Sequence, residues 1–77
     1  MLGLDRITHN PQVMGGKACI RGMRVTAGMI VRQVAAGHTQ DEILGAYPYL
    51  EREDITQALE YAAASANVHV YRLREPA

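Results

Sequence analysis

Polar and apolar positions along this 77-residue chain change their period once, near residue 26. Before it, apolar residues come in short groups closed by turn formers. Arg6-Ile7-Thr8 is β-prone and ends at Asn10-Pro11, and Gln12-Val13-Met14 ends at Gly15-Gly16. Ala18-Cys19-Ile20 ends at the tight turn Arg21-Gly22, and Met23-Arg24-Val25 returns as a third short strand. Strands of about three residues do not stand alone, so the element over residues 6–25 must lie on helices or pair across a dimer.

From Thr26 the spacing is helical. Thr26 is placed as an N-cap, Ala27, Ile30, Val31 and Val34 follow on one face, and Gly37 stands where a left-handed C-terminal residue belongs, which predicts a first helix over 26–37. Gly28 is a poor helix former near its start. Thr39-Gln40-Asp41-Glu42 is a capping box that opens a second helix over 39–46, stopped by Tyr47-Pro48. A third helix over 51–66 begins at Glu51, with Leu50 and Ile55 as a hydrophobic staple. Its stripe of Ile55, Ala58, Leu59, Ala62, Ala63 and Ala66 is the best amphipathic pattern in the chain. Residues 67–77 are a tail with two readings: Val68-His69-Val70-Tyr71 is β-prone, yet a helix can also run on towards Pro76. The expected fold is mainly α: a three-helix bundle behind a small N-terminal β element. Its second and third helices are joined by Tyr47-Pro48-Tyr49-Leu50 as a helix-turn-helix.

Composition narrows the possibilities. At 8.5 kDa, without Phe or Trp, the chain has room for one small domain with a marginal core, and dimerisation or docking on a partner is expected. No apolar run approaches the roughly 18–20 residues of a membrane span, and the first ten residues lack a secretory layout. Cys19 is the only cysteine, which agrees with a reducing compartment, and a cytoplasmic location is expected.

The formal charge of zero hides a division. Up to Gly37, Arg6, Lys17, Arg21, Arg24 and Arg32 face only Asp5, a net +4; from His38 onward three arginines face seven acids, a net −4. Such a split suggests two surfaces with different partners, or one surface that attracts its own copy; ordinary scatter with carboxylates at helix starts is the plainer explanation.

In a helix-turn-helix the second member of the pair presents its first turns to the major groove. Here those turns carry Arg52, Glu53, Thr56, Gln57 and Glu60. Arg52 suits guanine, Gln57 suits adenine, and Thr56 suits a phosphate or a thymine methyl. Glu51, Glu53 and Asp54 oppose phosphates at that end, so DNA contact needs Lys17, Arg21, Arg24 and possible help from Arg32. A plain three-helix bundle with a solvated acidic helix is the competing reading. Arg72 and Arg74 suit insertion into an acidic, metal-binding pocket of a partner, against the simpler alternative of a frayed, solvated terminus.

Other motifs lead to plain readings. Gly15-Gly16-Lys17 lacks the longer glycine-framed run and the Ser/Thr of a phosphate loop and reads as a turn. Cys19, His9, His38 and His69 have no metal-ligand spacing, no catalytic constellation is found, and no metal or cofactor is expected. Tyr47, Tyr49, Tyr61 and Tyr71 lack an interleaved basic groove for base stacking and read as packing residues.

The combination Ile7-Thr8-x-Asn10-Pro11-x-Val13-x-Gly15-Gly16-Lys17-x-Cys19-Ile20-x-Gly22-x-Arg24-Val25 resembles the opening of a bacterial and archaeal family catalogued as domain of unknown function 433. The resemblance continues through Gly37-His38-Thr39-x-Asp41-Glu42-Ile43-Leu44, Tyr47-Pro48-x-Leu50, Asp54-Ile55 and Ala58-Leu59-x-Tyr61-Ala62, and covers about residues 6–64. Met23, Ala18 and Glu51 depart from the usual Thr, Pro and Thr/Ser at their positions. The resemblance implies a homeodomain-like three-helix fold and the role of an antitoxin beside a PIN-like ribonuclease toxin, which it neutralises while repressing its own operon. The resulting expectation is a non-enzymatic, dimeric, cytoplasmic antitoxin. It would contact operator DNA through Lys17, Arg21, Arg24, Arg52, Thr56 and Gln57, and its toxin through Arg72 and Arg74. A protein-interaction adaptor that never touches DNA is the alternative.

Overall fold

The computed structural model describes the backbone of residues 3–74 and the side chains of residues 3–65. Its elements run β1 (Ile7–Thr8), a single 3-10 turn (Met14–Gly16), β2 (Cys19–Ile20), α1 (Ala27–Ala35), α2 (Gln40–Ala46) and α3 (Arg52–Arg74). The two strands are antiparallel, with Ile7 opposite Ile20 and Thr8 opposite Cys19. Arg21 and Gly22 both have positive φ, +48° and +73°, as a two-residue hairpin turn of the primed type requires. Met23 N–H donates to the Ile20 carbonyl at 2.8 Å and closes it.

The expected third strand, Met23-Arg24-Val25, is not formed. The chain leaves the turn after two return bonds, Ile20 N–H to the Val25 carbonyl at 2.9 Å and Ala27 N–H to the Ala18 carbonyl at 2.8 Å, which flank a lone bridge between Cys19 and Thr26. Thr26 is already the cap of α1, so the chain turns into a helix before a ladder can lengthen.

The helix ends follow local chemistry. Thr26 Oγ1 accepts from Met29 N–H at 3.0 Å. At the other end of α1, His38 N–H reaches the Gln33 carbonyl and Gly37 N–H the Val34 carbonyl, with Gly37 at φ +94°. That is a Schellman motif, and it needs the left-handed residue that glycine supplies. The capping box of α2 is complete: Thr39 Oγ1 accepts from Glu42 N–H at 3.1 Å, and Glu42 Oε1 accepts from Thr39 N–H at 2.8 Å. This second bond holds the Glu42 carboxyl below its usual range. Leu50 N–H to the Tyr47 carbonyl at 2.9 Å forms the corner before α3.

Ile20, Val25, Ala27, Ile30, Ile43, Leu50, Ile55 and Ala58 form the buried core, to which the hairpin and all three helices contribute. The main helix contact is α1 on α3. Both staple residues, Leu50 and Ile55, are buried there, while Ala63 of the expected stripe is exposed. The α3 backbone continues to Arg74, past the expected end at residue 66, so the helical alternative for the tail holds over 67–74 and the β-prone reading of Val68–Tyr71 does not. Among the described residues no helix is long and apolar enough to cross a membrane.

Ile55 is wholly buried where α3 meets the core. Ile55→Ala should therefore lower unfolding free energy by about 2–5 kcal/mol in urea denaturation. A loss below about 1 kcal/mol would show that the core collapses around the cavity or is built differently.

Candidate functional site

Among the described residues the densest set of polar contacts lies at the amino end of α3, where the sequence places base-contacting side chains. Asp54 stands in its first turn and is fully buried. A carboxylate so placed must be paired and hydrogen-bonded, because desolvation alone would drive it neutral. Asp54 Oδ1 accepts from Arg6 Nη1 at 2.9 Å and Arg21 Nε at 3.1 Å. Oδ2 accepts from Arg21 Nη2 at 2.8 Å and from the Glu51 backbone N–H at 2.8 Å. Arg21 thus grips the carboxylate with two prongs. The Glu51 bond is the return half of a capping box, so Asp54 caps its own helix. Burial pushes the Asp54 carboxyl up, but Arg21, the Glu51 N–H and Arg6 more than reverse it and leave it below the usual carboxylate range.

The same cations reach further. Arg6 Nη1 also donates to Glu51 at 2.6 Å, and Arg21 Nη2 to the Tyr49 carbonyl at 2.9 Å. Three residues along α3, Gln57 is 5% exposed and has both ends occupied. Its Oε1 accepts from Arg6 N–H at 2.9 Å, and its Nε2 donates to Asp5 at 2.8 Å and Glu53 at 3.3 Å. The Gln57 bond holds the Asp5 carboxyl below its ordinary value. Hairpin, α2–α3 corner and α3 are joined by one polar network. Among the described residues no buried side-chain polar atom lacks a partner.

This network sorts the residues expected at DNA. Gln57, expected at adenine, is turned inward and spent on Asp5, Glu53 and Arg6 N–H. Arg21 is engaged with Asp54 and Tyr49. Arg52 is exposed and pairs with Asp41 and, at 3.1 Å, with Gln40 Oε1, so it braces α2 against α3 from outside. Thr56 is exposed. Lys17 and Arg24 are exposed, with no ion pair among the described residues, and so is Arg32. The side chains of Arg72 and Arg74 lie outside the described residues. Cys19 is buried, and no three His, Cys, Asp or Glu among the described residues gather as a metal site. Asp54 and Arg6 were not singled out from the sequence, although Glu51 and Asp54 stand at capping-box spacing.

A family model described as "Protein of unknown function (DUF433)" matches residues 7–62, which takes in the hairpin, α1, α2 and α3 as far as Ala62. The chain belongs to the DUF433 family. This DUF433 chain is 39% identical over 59 residues to the uncharacterized protein y4eO of Sinorhizobium fredii; the match covers 77% of the chain but 27% of that protein, so the chain spans about a quarter of its relative. It is also similar to the crystal structure of a DUF433 member protein from Anabaena variabilis. The TM-score is 0.72 and the identity 31%, over 87% of this chain and 65% of that one. The likeness establishes the three-helix fold with its small two-stranded sheet.

Asp54→Ala should destabilise this DUF433 fold by about 2–3 kcal/mol in denaturant titration. That is at or below the usual loss on breaking a buried pair, because both arginines can turn to water. The pH dependence has a fixed sign. Because the folded-state value of Asp54 is depressed, its contribution is complete above the unfolded value near 3.9 and is lost as pH falls through the lower folded value. Asp54→Asn should therefore flatten the acid limb of the stability curve below about pH 4 while changing its shape little at pH 6–8. An unchanged acid limb would remove Asp54 from this role.

Proposed function

We propose that this protein is the antitoxin of a type II toxin–antitoxin pair, a cytoplasmic, non-catalytic dimer that neutralises a PIN-like ribonuclease and binds its operator DNA. The observation that carries the reading is the α2–α3 corner, a helix-turn-helix with the hairpin locked to the start of its second helix. Such a body presents a rigid face to a duplex. In this reading Lys17 and Arg24 supply phosphate contacts, because their charge is not spent on carboxylates among the described residues. Arg52 and Thr56 join them from the exposed side of α3. Arg52 has only an exposed ion pair to exchange for a phosphate, and such pairs are worth little. Arg21 and Gln57 support this surface from behind. Toxin contact falls to Arg72 and Arg74, whose guanidinium groups suit the carboxylates of a nuclease metal site.

The protein-interaction adaptor remains a second reading, favoured by one observation: Glu51 and Glu53 are exposed beside α3's first turn and repel phosphates.

Co-expression with a PIN-like nuclease, taken from beside the gene in this reading, tests the first half of it. The chain should restore growth and co-purify with the nuclease, and the Arg72→Ala/Arg74→Ala pair should lose both effects. Growth arrest despite a folded, expressed chain contradicts the antitoxin reading. Operator binding tests the second half. Lys17→Ala with Arg24→Ala should reduce the slope of log K against log salt by about 2, roughly 0.9 for each lost phosphate contact. Arg21→Ala should act on stability instead. No salt-sensitive affinity for the duplex selects the adaptor.

A further inference from the structure

A cleft of about 560 Å³ opens between the segment leading into β2 and the first turns of α1, with Tyr61 of α3 also lining it. Its lining combines an apolar part, Met14, Ala18, Ala27, Met29 and the Tyr61 ring, with two cations, Lys17 and Arg32. The size falls within the range of small-molecule sites, and flexible thioethers suit irregular apolar bodies.

Two observations set this cleft apart. The first is charge. Among the described residues Arg6, Arg21 and Arg52 are each matched by a carboxylate, whereas Lys17, Arg24 and Arg32 have no ion pair, and two of those three, Lys17 and Arg32, line this cleft. The second is Gly28, which lines the same cleft within α1. Glycine is the poorest helix former after proline. Neither backbone nor packing requires it here: its φ is not positive, and an added Cβ would meet only Thr26 Oγ1, at an ordinary 3.8 Å. A larger residue would instead occupy the cleft. With no side chain at Gly28, the cleft stays open over the first turns of α1.

We propose that this cleft binds a phosphate monoester carried on an apolar or aromatic body, of the size of a nucleoside monophosphate. The two cations match the nearly two negative charges of a monoester at neutral pH, where a carboxylate or a diester would balance only one. The side chains of Met14, Met29 and Tyr61 take the body. The source is either a free mononucleotide or the phosphorylated 5′ end of a strand. Lys17 is shared with the surface assigned above to operator phosphates, but the cleft is tested by monoesters and through Gly28 and Arg32, so the proposal does not depend on operator binding.

The four common ribonucleoside monophosphates, adenosine, inorganic phosphate, and a short single strand with either a 5′ phosphate or a 5′ hydroxyl are titrated into the full chain. Amide resonances of residues 17, 28 and 32 report the site, and calorimetry the affinity. At least one monophosphate should shift those resonances, with adenosine and inorganic phosphate binding about tenfold or more weakly, the loss of one charged or one stacking anchor. Displacement of the bound nucleotide by the 5′-phosphorylated strand assigns a strand end as the source, and failure to displace it assigns a free nucleotide. Gly28→Leu should abolish binding with an unchanged or higher melting temperature, and Arg32→Gln should weaken it about tenfold while the fold holds. The proposal is overturned if no monophosphate binds, if inorganic phosphate binds as well as the nucleotides, if Gly28→Leu still binds, or if the hydroxyl-ended strand competes equally.

Discussion

A fully buried carboxylate at the start of a helix needs more than the local Glu51 N–H to stay charged, and in this chain the further donors arrive from far away in sequence. Asp54 draws Arg6 across 48 positions and Arg21 across 33. Once those two are in place, the hairpin has one position on α3, and the α2–α3 corner is pinned by the Arg21 bond to the Tyr49 carbonyl. Two strands of two residues have too few ladder bonds to hold themselves together. Their stability comes from packing Ile20 into the helical core and from this polar clamp. The left-handed backbone at Arg21, unfavourable for a residue with a Cβ, is tolerated because it aims the guanidinium at Asp54.

The clamp also changes the meaning of the charge division. A net +4 half and a net −4 half suggested distinct surfaces or attraction between copies. Much of that attraction is spent within one chain, where Arg6 and Arg21 of the basic half meet Glu51 and Asp54 of the acidic half. What the molecule offers a partner is therefore what is left over. Among the described residues Lys17, Arg24 and Arg32 have no ion pair, and Arg52 holds a solvent-exposed pair that a stronger acceptor can replace. The buried side of the first turns of α3, Asp54 and Gln57, has become part of the brace, which leaves Arg52 and Thr56 on the exposed side beside the loop and hairpin that precede α1.

Local signals were legible and distant pairings were not. Thr26, Thr39 and Gly37 act within one turn of themselves, so their caps follow from spacing alone, as does the tight turn at Arg21-Gly22, though not its left-handed Arg21. The apolar stripe of α3 predicted Ile55 and Ala58 correctly. It failed at Ala63, which is exposed, and at Gln57, a polar residue off the stripe that burial among hydrogen-bond partners has turned inward. A glutamine three positions after an aspartate near a helix start reads as a base contact or as a brace with equal ease. Only the position of Arg6, set by tertiary packing, separates them. Val68–Tyr71 is a β-prone stretch, yet its backbone continues α3. Strand propensity without a partner strand gives way to extension of an existing helix, which adds a hydrogen bond per residue without a new nucleus.

The arginine side chains themselves give the most direct view of the clamp. In nitrogen-15 spectra at neutral pH, the Arg21 Nε–H and the Arg6 guanidinium should appear as slowly exchanging, dispersed signals, with Arg24 exchanging fast and unresolved as a control. Replacing Asp54 with Asn in a folded chain should collapse the Arg21 and Arg6 signals onto that of Arg24. Fast exchange of Arg21 and Arg6 in the unaltered protein, indistinguishable from Arg24, would contradict the clamp and the sorting of surface charge built upon it.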